Sequence, residues 1–225
     1  MPHPAVRRLG VLVAALCCCV PASALAQQPF AVDDAEVTPT GWWHLEFNNE
    51  VDALHHGALP ARWQNVFDAE VVFGARSRVE VGVAVPVVSV VSEDDGVRST
   101  AAGVGDTSIS AKIRLTRAAD ARHAFAAGFS LELPSGNEDR LLGSGLVDYG
   151  VTFISQHRLE TRWTLRANGG VVLAGNTQTG AIGFKERGTV LVGGGSLVAA
   201  VSDTVQLGGE VVAAWSEKAV LGGKS

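Results

Sequence analysis

The stretch Arg78 to Val87 reads R-V-E-V-G-V-A-V-P-V, with valine at every odd position from 79 to 87. Its even positions hold Arg78, Glu80, Gly82, Ala84 and Pro86. Side chains of a β-strand alternate between faces, so the segment presents one wholly apolar surface and one that is small or charged. A soluble sheet can contain one such strand. Recurrence in segment after segment of about 10 residues marks a transmembrane β-barrel, whose tilted strands cross a bilayer in about that length.

The pattern recurs on both sides. Upstream, Trp43, Leu45, Phe47 and Val51 alternate with His44, Glu46, Asn48 and Glu50, and from 63 to 73 Trp63, Phe67, Val71 and Phe73 oppose Gln64, Asp68 and Glu70. Downstream, Ile109, Ile113 and Leu115 oppose Lys112 and Arg114. Phe125, Phe129 and Leu131 oppose Ala124, Ala126, Gly128 and Glu132, and Tyr149, Val151 and Phe153 oppose Asp148. Trp163 and Leu165 oppose Arg162 and Arg166, an eighth segment from 189 to 200 is blurred by Gly193 to Gly195, and Leu207, Val211 and Trp215 oppose Glu210. In lipid the apolar row must face outward, and closure satisfies every backbone group without an edge. The inward row is then free to be polar. Glu46, Asp68, Glu70, Arg78, Glu80, Lys112, Arg114, Glu132, Asp148, Arg162, Arg166 and Glu210 are therefore the expected lumen-lining residues, with pairing between the two signs.

The fold class predicted is all-β, an antiparallel transmembrane β-barrel with nine strands visible. Bacterial barrels close with an even number, so the expectation is a barrel of about twelve whose C-terminal strands lie beyond Ser225. The connections alternate long and short. Outer-membrane barrels have short periplasmic turns and longer extracellular loops, which places the mature N-terminus in the periplasm. Short turns are expected at Gly74 to Ser77 and at His157 to Thr161, and long loops at Ala53 to Arg62, Val88 to Gly105, Pro134 to Leu146 and Leu173 to Gly188. Pro86 lacks a ladder donor and belongs at a strand end or bulge. Trp42, Trp43, Trp63, Phe73 and Trp215 sit near strand ends, as an interfacial girdle requires.

Residues 1 to 26 read as a secretory signal, with Arg7 and Arg8, an apolar run from Leu9 to Val20 and Ala24-Leu25-Ala26 as the cleavage site. All three cysteines, Cys17 to Cys19, lie in that run. Leu16 stands where a lipoprotein needs a small residue, which argues against lipidation. The mature chain offers no disulfide, thiol nucleophile or cysteine-zinc site. Its formal charge of −7 is a poor footprint for nucleic acid. Residues 27–40, with Pro29, Asp33, Asp34 and Pro39, form an expected periplasmic extended leader, and 41–225 the barrel. Mean hydropathy is +0.21. No apolar run of transmembrane-helix length follows the signal.

Several marks resemble one family, the outer-membrane proteins associated with the meta pathway of phenol degradation, labelled as transporters. They are Pro29-Phe30, Asp33-Asp34 and Thr38-Pro39-Thr40-Gly41 ahead of the first strand, Gly103-Val104-Gly105-Asp106 leading to Ala111-Lys112, and Leu133-Pro134-Ser135-Gly136. The resemblance implies an outer-membrane channel or transporter-like protein for small solutes, with aromatic or other hydrophobic compounds suggested by the family name alone, and supplies no catalytic residues. The alternative is a barrel plugged by inward charges that pair across the lumen, serving as a structural, receptor or adhesive protein, and the other rival is a soluble periplasmic β-sandwich.

Other readings are weaker. Asp68 with Glu70, or Glu46 with Glu50, could serve as acid and base or hold a cation, but such residues more simply line a lumen. His55-His56 has no third ligand nearby, and Glu93-Asp94-Asp95 and Asn137-Glu138-Asp139 read as solvated acidic loops. His44 could be a base, yet no serine elbow accompanies it. Gly103-Val104-Gly105 precedes a strand, not the helix of a dinucleotide site. Gly193 to Gly195 and Gly208-Gly209 are expected at bulges or close packing. No catalytic, cofactor or metal site is expected, and the protein is predicted not to be an enzyme. Expected partners are outer-membrane lipid, the assembly machinery of that membrane and a small-molecule solute, without nucleic acid.

Overall fold

The computed structural model describes residues 31–53, 61–94, 96–118, 121–160, 162–175, 182, 186–202 and 205–217. Residues 1–26, expected to be a secretory signal, lie outside them, as do Pro29-Phe30 and His55-His56. Ten β-segments are found: β1 (Trp43–Ala53), β2 (Ala61–Arg76), β3 (Val79–Asp94), β4 (Val97–Val104), β5 (Thr107–Arg114), β6 (His123–Leu133), β7 (Asp148–Leu159), β8 (Trp163–Ala174), β9 (Gly188–Ala200) and β10 (Gln206–Glu217).

Every pairing among the described residues is antiparallel, and all but that of β3 with β5 join neighbours in sequence. β4 and β5 share one position, because β5 pairs with Val79 to Ala84 of β3 and β4 with Val87 to Asp94. Together they are one strand interrupted at Gly105-Asp106, so the sheet has nine positions and curls into a half-barrel. Among the described residues, β1 and β10 each keep one unpaired edge.

The alternation holds along the strands. Val81, Val83, Val85 and Val87 are exposed on the convex face, while Gly82, Ala84, Val88 and Val90 are buried on the concave one. Tyr149, Val151 and Phe153 of β7 are likewise exposed, opposite buried Asp148, Gly150, Ile154 and Gln156. Aromatic side chains pair across strands on the convex face, Trp43 with Phe73 at 4.7 Å between centroids and Phe47 with Phe67 at 6.2 Å. Trp43, Phe73 and Trp163 mark the end with short turns, and Trp63 and Trp215 the end with long connections. An apolar, aromatic-rimmed outside around a charged inside reverses the soluble arrangement, as a barrel in lipid requires.

Four boundaries differ from the expectation. Residues 88–105 are mostly strand: β3 runs on to Asp94 and β4 returns along it. Val88 and Val90 continue the alternation past Pro86, but beyond them Ser92 and Ser99 pair with each other in the open and the apolar signal fades. Pro86 consequently sits inside a strand. Its carbonyl accepts from Gly105 N at 2.9 Å, so the side on which it lacks a donor faces the interruption between β4 and β5. β2 continues through a register shift between Gly74 and Arg76, leaving Ser77 and Arg78 as the turn. β7 runs to Leu159, which turns Arg158 inward.

Residues 31–42 cross the concave face from β10 to β1. We call this segment the strap. It ends in a turn where Trp42 N donates to Pro39 O at 2.9 Å and Gly41 takes φ +82°, as the third residue of a type II turn must. Gly41 N then bonds Gly74 O at 2.7 Å. A Cβ at Gly74 would collide with the Pro39 and Thr38 carbonyl oxygens. Gly74→Ala is therefore expected to cost about 1–3 kcal/mol by overpacking, read as a lower urea midpoint. An unchanged midpoint would show that the strap does not press on β2.

Candidate functional site

The strap is seated by small residues. Ala35 is fully buried against Ala124 and Ala126 of β6 and Ile154 of β7. Val32 is buried over Gly194, where a Cβ would meet its Cγ2 at 2.9 Å. The inward alanines and the glycines of β9 thus make room for backbone crossing the wall. Of the two readings of Gly193 to Gly195, close packing applies at Gly194, and β9 keeps unbroken register with both neighbours.

The strap's acids meet the wall's cations. Asp33 lies 3.1 Å from Lys112 Nζ, Asp34 3.4 Å from Arg166 Nη2, and Glu36 bridges Arg114 Nη1 at 2.8 Å and Arg158 Nη2 at 2.9 Å. Two wall acids bind the strap in return. Glu80 accepts from Thr38 N at 2.6 Å and from its hydroxyl at 2.8 Å, and Glu210 accepts from Ala31 N at 3.0 Å and Val32 N at 2.9 Å. Desolvation against the wall raises the Asp33 carboxyl above its ordinary range, and Lys112 opposes the rise.

At the other end the segment 134–147 folds inward. Leu142 is buried on Val88 and Val90. Asp106, buried, accepts from Gly136 N and from Ser144 N, each at 2.8 Å. Ser135 Oγ donates to Gly105 O at 2.9 Å and accepts from Thr107 N at 2.9 Å. A Cβ at Gly105 would stand 2.7 Å from Val88 Cγ2, and one at Gly143 would strike the Asp106 carboxylate. The G-V-G-D and L-P-S-G marks, 30 residues apart, are therefore two halves of one joint. Asn137 caps a short 3-10 turn by accepting from Arg140 N, so Asn137-Glu138-Asp139 shapes this loop.

The described residues line two cavities. One of about 590 Å³ lies beside the strap and is lined by Asp33, Asp34, Glu46, Glu70, Glu80, Lys112 and Arg166 among others. The second, about 520 Å³, lies under the 134–147 loop. Among the described residues its charged lining is Glu50, Asp52, Asp68, Asp106, Glu132 and Asp148, with no lysine or arginine.

Of the expected lumen residues, Glu46, Asp68, Glu70, Glu80, Lys112, Arg114, Glu132, Asp148, Arg166 and Glu210 stand on the concave side. Arg78 and Arg162 do not: both are exposed in turns at the short-turn end, where their carbonyls receive Arg114 N and Ala200 N. Among the described residues the expected pairing within the wall is limited. Lys112–Glu80 at 3.0 Å joins opposite charges of two strands, and Arg187 approaches Asp148 only to 4.0 Å. Glu70 takes a hydroxyl from Ser110 at 3.1 Å across the space that Gly82 leaves. His44 lies 3.7 Å from Glu46.

Sequence reasoning missed the strap acids as site residues, along with Arg158, Gln156 and Asp106. Asp33-Asp34 was visible as a mark, but an extended polar segment carries no period that says which surface it will cover. Among the described residues, no three His, Cys, Asp or Glu side chains are grouped to hold a metal ion.

The family described as "Putative MetA-pathway of phenol degradation" matches residues 63–209, well over half of the chain. The chain belongs to this family. No curated protein gives a significant match. The phenol-degradation family span runs from Trp63 in β2 to Gly209 in β10. It contains the wall cations and the Gly105–Ser135 joint, while the strap precedes it. The family's description ties its members to phenol degradation, and the barrel-type sheet is compatible with an outer-membrane protein.

Proposed function

We propose that the protein is an outer-membrane channel for small solutes, with the short-turn end in the periplasm and the long connections outside. The observation that carries this reading is the reversal of faces: an apolar convex surface rimmed by aromatics encloses a concave one lined with buried charge. Membrane lipid is then the solvent of the convex face, and the assembly machinery of the outer membrane its route there. The family's description makes aromatic compounds the leading solute class. The charged lining would let water and polar groups accompany them, so passage is by diffusion through a wetted lumen rather than by chemistry. The protein is proposed to have no catalytic role.

A second reading is favoured by one observation. The strap and Leu142 both occupy the interior, so the barrel could be plugged and serve as a structural, receptor or adhesive protein. Planar-bilayer recording separates the two. Full-length, heat-modifiable protein should give discrete current steps in potassium chloride. A silent bilayer with folded protein present would establish the plug.

A further inference from the structure

The interior charges of the two cavities are unequal, and the strap decides their balance. The concave wall carries a cationic row of Lys112, Arg114, Arg158 and Arg166, drawn from three strands. Lys112, Arg114 and Arg166 are buried. A bare wall would offer Arg114, Arg158 and Arg166, with Lys112 beside Glu80, to any anion in the lumen. With the strap in place, Asp33, Asp34 and Glu36 each sit within 3.4 Å of one of these cations. Beside those paired cations, Glu46 and Glu70 also line the strap cavity, and among the described residues the lining of the second cavity holds six carboxylates and no lysine or arginine.

We infer that the strap is the charge-selectivity element of the lumen: its three carboxylates mask the cationic row, so that the pore prefers cations and disfavours anions. The inference rests on the channel reading proposed above. Two features argue against the strap's being a mere tether. Each acid has its own basic partner, and Glu36 serves two, whereas holding a segment on a wall needs only the packing of Ala35 and Val32 and the bonds to Glu80 and Glu210. The backbone seat is also separate from the charges. Neutralising the acids leaves Thr38, Ala35 and Val32 in place, so charge can change without losing the strap.

The test is the reversal potential of the full-length protein in phosphatidylcholine bilayers across a tenfold potassium chloride gradient. The unaltered protein should reverse at the sign expected for potassium over chloride. Asp33→Asn/Asp34→Asn/Glu36→Gln should lower the potassium-to-chloride permeability ratio by on the order of tenfold, since three unit charges near a water-filled path act on both ions and are only partly screened. Glu36→Gln alone, which leaves the Asp33 and Asp34 pairs intact, should shift the ratio in the same direction by less. It keeps the test available should the triple variant fail to fold. Chloride preference in the unaltered protein, or current steps with the same ratio in every variant, would overturn the inference and leave the channel standing. No current from folded protein in any form would instead overturn the channel reading, and this one with it.

Discussion

Val83→Arg should destabilise the folded protein in lipid by about 2–4 kcal/mol, the cost of an arginine on the lipid face at mid-depth. Val83 is exposed on the convex face and lies opposite Val71 of β2 and Ile109 of β5, so the guanidinium would stand in the middle of an apolar surface. Val97→Arg supplies the contrast. Val97 also belongs to the sheet and is 70% exposed, but it lies at the tip of the β3–β4 hairpin, beyond the stretch that lipid would cover. Near or outside the interface the same replacement should cost about 0–1 kcal/mol. Urea titration in liposomes, followed by tryptophan fluorescence, reads both. Equal effects at the two sites would remove the distinction between a buried wall and a projecting hairpin.

Asp106→Ala should cost roughly 2–4 kcal/mol, because each backbone N–H left without its partner loses about 1–3 kcal/mol and water in the adjoining cavity offsets part of that. The two donors are Gly136 N and Ser144 N, at the start and near the end of the inward-folded loop. Loss of the carboxylate should therefore release the loop as well as weaken the fold. Limited proteolysis ought to cut between 134 and 147 in Asp106→Ala and spare the parent. Asp106→Asn keeps one acceptor oxygen and should fall between them. A loop equally resistant in all three would mean that Leu142 on Val88 and Val90 holds it without the carboxylate.

The wall was legible in the sequence and its contents were not, for a physical reason. A strand that separates lipid from a charged interior is forced into strict alternation, so Val79 to Val87 or Tyr149 to Phe153 announce both their structure and their faces. Where that demand ends, so does the signal. β3 beyond Val90 is still strand, but neither of its faces needs to be apolar there, and Ser92 to Asp94 read as loop. Arg78 and Arg162 have the right parity for the lumen but stand at turns, where parity no longer assigns a face. Arg158 was lost by the opposite error, a strand ended too soon.

The interior depends on long-range meetings that no local period encodes. Glu36 finds Arg114 and Arg158 across 78 and 122 residues, and Asp106 finds Ser144 across 38. The small inward residues were the available clue. Ala124, Ala126 and Gly194 are smaller than a filled lumen would need, and each lies under a segment crossing the wall or beside one that does. Glycine in the marks Gly105-Asp106 and Ser135-Gly136 likewise records close backbone approach rather than a ligand cradle.

The central claim is that the valine face of β3 meets lipid while its other face meets the interior. The sequence has cysteine only at 17 to 19, so in protein prepared from Gln27 onward single cysteines placed from Val81 to Val85 can carry a fluorophore after insertion into liposomes. Quenching by lipids brominated on their acyl chains should then follow a period of two, strong at 81, 83 and 85 and weak at 82 and 84, with a water-soluble quencher showing no such preference for the odd positions. Uniform quenching along the segment, or odd positions reached mainly by the water-soluble quencher, would contradict the account.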